Sequence, residues 1–362
     1  MSKYAILTLN DPLNYGNRLQ NFALSKVLRA YGTTSTIKVR RCSYSTKSLM
    51  KRRVKDAFYS FKPIIKNESA SHIPAAIKRV QRFRAFETRY LGKAEYELSG
   101  LLGLVGRQEE IETLVIGSDQ VWNYTFLMDQ RDLDLMLGNF PGKMRRISYA
   151  ASIGVSNISD GVRDQFIKGL AGLQSISVRE IQGADAIECV TGQRPATVLD
   201  PTLLLSSADW RSVGEGNLDN KPFILTYFLG RTTPQVDKHI QCLAKGLGIG
   251  VRRLNDTKDL NTYASGPQDF VELISQATCV FTDSFHACCF SILFNKPFFV
   301  FDRNGFKGAA SMNSRMQTLF NHVGIINLPD DFEGYQNFDW DGVNQRIGDA
   351  RLQSLSWIDE AV

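Results

Sequence analysis

The sequence predicts an α/β protein of two domains, each a parallel sheet covered by helices on both faces. Three observations lead there. The chain has 362 residues, beyond the ~250–300 at which a single hydrophobic core stops growing. Short apolar runs alternate with segments of helical periodicity along most of its length, the pattern of buried parallel strands with crossover helices. A polar stretch rich in Ser, Gly and Asp, residues 206–220, separates two such series and reads as a linker. The predicted organisation is a first domain over 1–205 with a basic insertion at about 38–93, the linker 206–220, a second domain over 221–340, and a C-terminal helix over 341–362.

The elements follow in order. Tyr4–Leu9 reads as a buried strand; Leu19, Phe22, Ala23, Val27 and Leu28 repeat at helical spacing, and Gly32 is expected to end that helix. Thr36–Val39 is a candidate second strand. Thr113–Ile116, Arg146–Ser152 and Ser175–Val178 are apolar runs, the last leading into a helix from about Glu180, and Thr197–Leu199 precedes Asp200-Pro201. The second series runs Pro222–Leu229, a helix near Val236–Leu247, a helix over Phe270–Gln276, strand Cys279–Phe281, helix Phe285–Phe294, strand Phe298–Phe301 and a last helix from about Val343. Ligands of such sheets bind at the carboxyl ends of the strands, and two such domains are expected to leave a cleft there.

Composition narrows the class. With 43% hydrophobic and 22% charged residues, 28 Gly and 11 Pro, the chain is neither disordered, collagen-like nor a coiled coil. The longest apolar stretch, Ala287 to Phe294, falls far short of the ~20 residues of a bilayer span. Tyr4–Leu9 is too short for a signal-peptide core, and no cleavage site follows it. The six cysteines contain no Cys-x-x-Cys pair and the four histidines are scattered. A disulfide framework or structural zinc is therefore not expected, and the expected location is the cytoplasm.

The net charge of +6 conceals an asymmetry. Residues 38–93 hold 16 Lys/Arg against Asp56, Glu68 and Glu87, densest at Lys51–Lys55 and Lys78–Arg84. Such a segment suits an anionic membrane surface or a diphosphate-linked substrate, or is a solvated helical face. No aromatic–basic repeat of a nucleic-acid module stands out, so no nucleic-acid partner is expected.

Five polar clusters follow apolar runs, where a doubly wound sheet presents its ligand site: Asn14-Tyr15-Gly16-Asn17, Gly117–Asn123, Ser152-Ile153-Gly154, Arg179-Glu180 and Thr282–His286. In the last, Asp283 or Ser284 is a natural N-cap, so Phe285 and His286 open a helix. The amides and dipole there favour an anion, and a histidine in that turn can donate to a phosphate or transfer a proton; packing inside the fold is the other reading. Arg179 ends an apolar strand and needs an anionic partner. That partner is either a protein carboxylate such as Glu180 or a substrate carboxylate or phosphate held by the guanidinium fork. Asp119 is a helix cap, a ligand contact or both; Asn14 and Asn17 fit a turn and cap. Arg315 is a surface side chain or a second anion contact. Trp122 reads as core before sugar platform, and Cys288 and Cys289 as small hydrophobes. The P-loop, the Gly-x-Gly-x-x-Gly fingerprint and the Gly-x-Ser-x-Gly elbow are all missing. Asp-x-Asp occurs only as Asp132-Leu-Asp134, without a preceding strand.

Taken together, Gly117–Asn123, Tyr149–Gly154, Ser177–Glu180, Asp200-Pro201-Thr202 and Thr282–His286 with Lys296-Pro297-Phe298 resemble the polysaccharide pyruvyl transferase family, in order, from Asn14 to about Arg315. The resemblance implies a GT-B-like fold of two Rossmann-type domains facing across a cleft. It implies phosphoenolpyruvate as donor substrate, no further cofactor or metal, and a saccharide acceptor that is often a lipid-linked sugar diphosphate at the inner face of the cytoplasmic membrane, with a pyruvate ketal as product. By resemblance, Arg179 and His286 bind the donor and are needed for activity. Asn14, Gly16, Asn17, Ser118, Asp119 and Gln120 line the acceptor side, and Ser152, Ser284, Phe285 and Arg315 complete the expected substrate-binding residues. Two other classes share the fold: a glycosyltransferase with a nucleotide-sugar donor, for which Gly230-Arg231-Thr232 is the only hint of a phosphate loop, and a non-enzymatic saccharide-binding protein, against which the retention of Arg179 and His286 argues.

Overall fold

The computed structural model describes residues 2–40, 70–92, 94–99, 103–126, 130–214, 221–302 and 309–362. They divide into two compact units. The first takes the described residues of 1–54, 87–204 and 348–362; the second takes those of 55–86 and 205–347. The densely basic Lys51–Lys55 and the linker residues 215–220 lie outside the described residues.

The first unit carries strands β1 (Ser2–Leu7), β2 (Gly32–Thr36), β3 (Lys38–Arg40), β4 (Glu97–Ser99), β5 (Gly103–Val105), β6 (Thr113–Ile116), β7 (Arg145–Ala151), β8 (Ser175–Val178) and β9 (Ala196–Thr197). Six form one parallel sheet in the order β2-β1-β6-β7-β8-β9; β3, β4 and β5 form a smaller one. Tyr4–Leu7 and all of β6 are buried on both faces, which is why they read as continuous apolar runs without alternation. Helix Tyr15–Leu28 follows β1, and helices Asp160–Ala171 and Ile181–Thr191 follow β7 and β8. Leu114, Ile116, Trp122, Phe166 and Ile187 share the core. From β1 the chain steps outward to β2, then returns to β6 on the other side, so the order reverses between β1 and β6. This is the topological switch point, where a doubly wound sheet opens a crevice beyond its strand ends.

The second unit repeats the plan. Strands β10 (Phe223–Tyr227), β11 (Gly250–Leu254), β12 (Cys279–Thr282) and β13 (Phe298–Val300) form a parallel sheet in the order β11-β10-β12-β13, with its switch point between β10 and β12. Helix Phe285–Leu293 is buried at all nine residues, the state expected of a helix apolar on every side. The expected α/β class, with a parallel Rossmann-type sheet in each unit, is what the chain adopts.

Three local expectations are corrected. Gly32 does not end the first helix: Arg29 is its C-cap, and Gly32 opens β2. Glycine is needed there because an added Cβ would strike the Ser2 carbonyl oxygen of the paired strand. The expected strand Thr36–Val39 is instead two strands in different sheets, β2 and β3, separated by buried Ile37. The stretch read as a linker contains helix Ser207–Arg211, closed by a reciprocal Ser206–Asp209 capping box. Its Trp210 is fully buried, edge-to-face on Phe290 at 4.8 Å. A single aromatic residue, rather than the polar average, decides the burial of that segment. Helix Ile73–Phe86, from the basic insertion, belongs to the second unit. It buries Val80, Phe83 and Phe86 while Arg82 pairs with Asp269 at 2.8 Å.

Candidate active site

At the switch point of the first unit, the loops after β1 and β6 meet in a network of amides and hydroxyls. Asn14 caps helix Tyr15–Leu28, its side-chain oxygen accepting the Asn17 N–H, and Gly16 lies buried in that first turn. The Asn17 amide donates to Asp119 Oδ2 at 3.4 Å. Gln20, one turn further on, donates to the Thr8 hydroxyl at 2.9 Å and accepts the Ser118 N–H at 3.2 Å. Thr8 in turn donates to the Ser118 carbonyl. Ser118 is thus clamped through its backbone and has no exposed surface. Gly117 precedes it with φ 131°, where an added Cβ would strike the Tyr149 carbonyl, so the motif requires glycine.

Behind this network lies a buried charge cluster. Arg179, at the end of β8, donates through Nη1 to Asp200 Oδ2 at 2.8 Å. Its Nε stands 3.8 Å from Glu180 and its Nη2 3.9 Å from Asp119. The guanidinium is 2% exposed. Burial opposes its charge, but Asp200, Glu180 and Asp119 outweigh burial and raise its pKa above the ordinary arginine value. Of the two partners open at the sequence level, the protein carboxylate is the one seen. Asp200 also accepts the Ser118 hydroxyl at 3.3 Å and both the N–H and hydroxyl of Thr202. Glu180 Oε1 accepts the Ser152 hydroxyl at 2.7 Å and the amides of Ile153 and Gly154. Ser152, expected to meet ligand, is fully buried and spends its proton on Glu180. Asp119 is the most exposed of the three acids, at 8%. Turns follow it rather than a helix, so it caps none; its Oδ1 accepts the adjacent Gln120 N–H at 2.9 Å. Gln120, half-buried, accepts from Asn123 at 2.7 Å.

The second unit has its own cluster at its switch point. Ser284 caps helix Phe285–Leu293. Asp283 instead reaches to the neighbouring strand end, its two oxygens accepting the Leu229 and Gly230 N–H groups at 2.7 Å each. His286, 8% exposed, occupies the first turn of the helix, with the Phe285 ring edge-to-face at 5.4 Å. Arg315 is buried, not a surface side chain; its helix Ala309–Val323 packs on Phe285–Leu293. Trp122 is core, its indole N–H donating to the Met136 carbonyl at 3.0 Å. Burial pushes the Cys279 thiol up to about 12 and Cys288 well above the usual thiol range, which leaves both inert.

The structure therefore gathers Asn14, Gly16, Asn17, Ser118, Asp119, Gln120, Ser152 and Arg179 in the first unit and Ser284, Phe285, His286 and Arg315 in the second. It adds Thr8 and Gln20, and gives Glu180, Asp200 and Asp283 their partners. Asp200-Pro201-Thr202 carried a signal, as a polar motif after an apolar run; Gln20 carried none, because its partners are Thr8 and Ser118. Among the described residues, no group of three or more His, Cys, Asp or Glu could hold a metal ion, and no helix is long and apolar enough to cross a membrane.

Two parallel α/β units, each with polar side chains at the switch point of its sheet, define a Rossmann-type protein. The sequence profile described as polysaccharide pyruvyl transferase matches residues 14–305, and the chain belongs to that family. No curated protein matches it. Among solved structures it is similar to the UDP-GlcNAc 2-epimerase of Methanocaldococcus jannaschii, at 10% identity and TM-score 0.42 over 96% of this chain and 92% of that one. It is also similar to the UDP-GlcNAc 2-epimerase of Neisseria meningitidis bound to UDP-GlcNAc, at 12% identity and TM-score 0.39 over 99% and 100%. An alpha-glucosyltransferase in complex with UDP aligns at 8% identity and TM-score 0.41 over 100% and 96%.

Proposed function

We propose that this protein transfers the pyruvyl group of phosphoenolpyruvate onto two hydroxyls of a saccharide, forming a pyruvate ketal and releasing phosphate. The observation that carries the reading is the placement of His286. It stands in the first turn of a nine-residue buried helix at a sheet switch point, where the helix dipole favours the donor's anionic groups. In this reaction His286 delivers a proton to the methylene carbon of the donor, C2 becomes electrophilic, a sugar hydroxyl adds to it, phosphate leaves, and the second hydroxyl closes the ketal. Arg179 serves from within the first unit's carboxylate cluster, holding those acids in place. Arg315 supplies further positive charge on the helix packed against that of His286. The acceptor is a precursor of a cell-surface polysaccharide, carried on a lipid diphosphate, and the basic segment 38–93 meets the anionic leaflet that holds it.

A nucleotide-sugar donor is disfavoured by one contact. The loop that hinted at phosphate binding gives its Leu229 and Gly230 amides to the Asp283 carboxylate, so those donors are already matched to an anion. The test is thermal shift with phosphoenolpyruvate beside UDP, joined to phosphate release by wild type and His286→Ala. A ligand at 100 times its dissociation constant stabilises by about 2.7 kcal/mol. Stabilisation by phosphoenolpyruvate, with turnover at saturating donor falling about 10²–10⁴-fold in His286→Ala, is expected. Stabilisation by UDP alone, or full turnover in the variant, overturns the reading.

A further inference from the structure

We propose that Asp119 is the base that takes the proton from the attacking acceptor hydroxyl, and that Arg179 and Asn17 position its carboxylate for this. The inference rests on the pyruvyl-transfer reading and adds the group that activates the acceptor. Such a group must be a proton acceptor with spare lone pairs, reachable by substrate and held in one orientation. In the strand-end cluster of the first unit, Asp119 meets these conditions better than its neighbours. Asp200 and Glu180 are 2% and 1% exposed, against 8% for Asp119. Asp200 accepts Arg179, Ser118 and Thr202, and Glu180 Oε1 already holds three donors. A carboxylate has about four acceptor sites; on Asp119 one is given to the Gln120 N–H and another, weakly, to Asn17 at 3.4 Å. The Arg179 contact, at 3.9 Å, is an ion pair too long to be a hydrogen bond. It holds the carboxylate in place without occupying a lone pair.

The backbone agrees. Asp119 sits at φ 69°, in the left-handed region, and its carbonyl accepts the Ser152 N–H beside the bridge to Ala151. Neighbouring strands hold a non-glycine residue in a conformation it seldom adopts. The step balances. The acceptor O–H bond breaks and its proton passes to Asp119, while the oxygen's electron pair forms the bond to C2 of phosphoenolpyruvate. The former double-bond pair takes a proton at C3. The C2–O bond to phosphate then breaks with its electron pair, the proton on Asp119 passes to the departing phosphate, and the second hydroxyl oxygen bonds C2 while its proton replaces the one spent at C3.

The test compares wild type, Asp119→Asn and Asp119→Ala, with folding checked by urea midpoint. Asn keeps the shape and tolerates the left-handed backbone; Ala leaves room for added formate. Expected is a fall in kcat of about 10²–10⁴-fold with the thermal shift by phosphoenolpyruvate retained, and partial recovery of the Ala variant by formate, which a merely structural role does not produce. A kcat within threefold of wild type in either folded variant overturns the inference, as does loss of the phosphoenolpyruvate shift without formate recovery. Failure of phosphoenolpyruvate to stabilise wild type overturns the donor reading, and this inference with it; a wild-type shift with unaffected variants overturns the inference alone.

Discussion

Replacing Arg179 with Met removes the cation that pairs with three acids and leaves side-chain bulk in its place. At an effective dielectric of about 20, ion pairs at these separations are worth roughly 4–6 kcal/mol each before desolvation is charged against them. The guanidinium lies 2.8 Å from Asp200, 3.8 Å from Glu180 and 3.9 Å from Asp119, at 2% exposure. Desolvation cancels most of that attraction, but deleting one partner of a buried pair leaves the other charge stranded and costs about 3–5 kcal/mol. For a unit of roughly 150–250 residues this is a fall in Tm of about 6–20 °C. The pH dependence carries the sharper signal. In the variant, carboxylates buried without a cation favour the neutral form, so the folded state binds protons that the unfolded chain releases. Stability then rises as pH falls, because the unfolded acids hold their protons only near pH ~4. Urea unfolding followed by tryptophan fluorescence at pH 7.5, 6.5 and 5.5 is the assay. The deficit against wild type is expected at 7.5 and expected to shrink toward 5.5. A deficit under about 1 kcal/mol at pH 7.5, or one that grows as pH falls, refutes the placement of Arg179 as the cluster's counter-ion.

Asp283→Asn replaces one acceptor of the Leu229–Gly230 clamp with a donor, and should cost about 1.5–3 kcal/mol and speed amide exchange at those two residues; unchanged exchange would show that the clamp does not hold the loop. Trp210→Ala empties a fully buried site against Phe290, with an expected loss of about 3–5 kcal/mol by urea midpoint; a loss typical of a surface position would mean that the 206–214 stretch is not packed. The basic segment predicts co-sedimentation with vesicles containing anionic lipid that weakens as salt rises; equal binding to neutral vesicles would remove its proposed role at a membrane.

Much of the fold was written locally. β8 falls on Ser175–Val178 as read, and helix Phe285–Leu293 ends one residue short of its expected Phe294, because an apolar run with a capping residue at its edge needs no distant information. The polar clusters at strand ends were legible for the same reason: a switch in hydropathy marks where a strand leaves the sheet. What failed locally failed through a distant partner. Gly32 looked like a helix terminator, but its role comes from the Ser2 carbonyl across a strand pair. The polar average of 206–220 hid Trp210, whose burial depends on Phe290 eighty residues on.

The sequence by itself determined the alternation of strands and helices, the residues at each strand's end and the family they spell. Hydropathy period and capping chemistry are properties of neighbouring residues. Only the tertiary structure decided the partners of those residues: that Arg179 faces Asp200, Glu180 and Asp119, that Ser152 is spent on Glu180, and that Asp283 clamps Leu229 and Gly230. The physical reason is that a buried charge or hydroxyl is satisfied by whatever strand order brings beside it, and sheet order is a long-range choice that local periodicity does not encode.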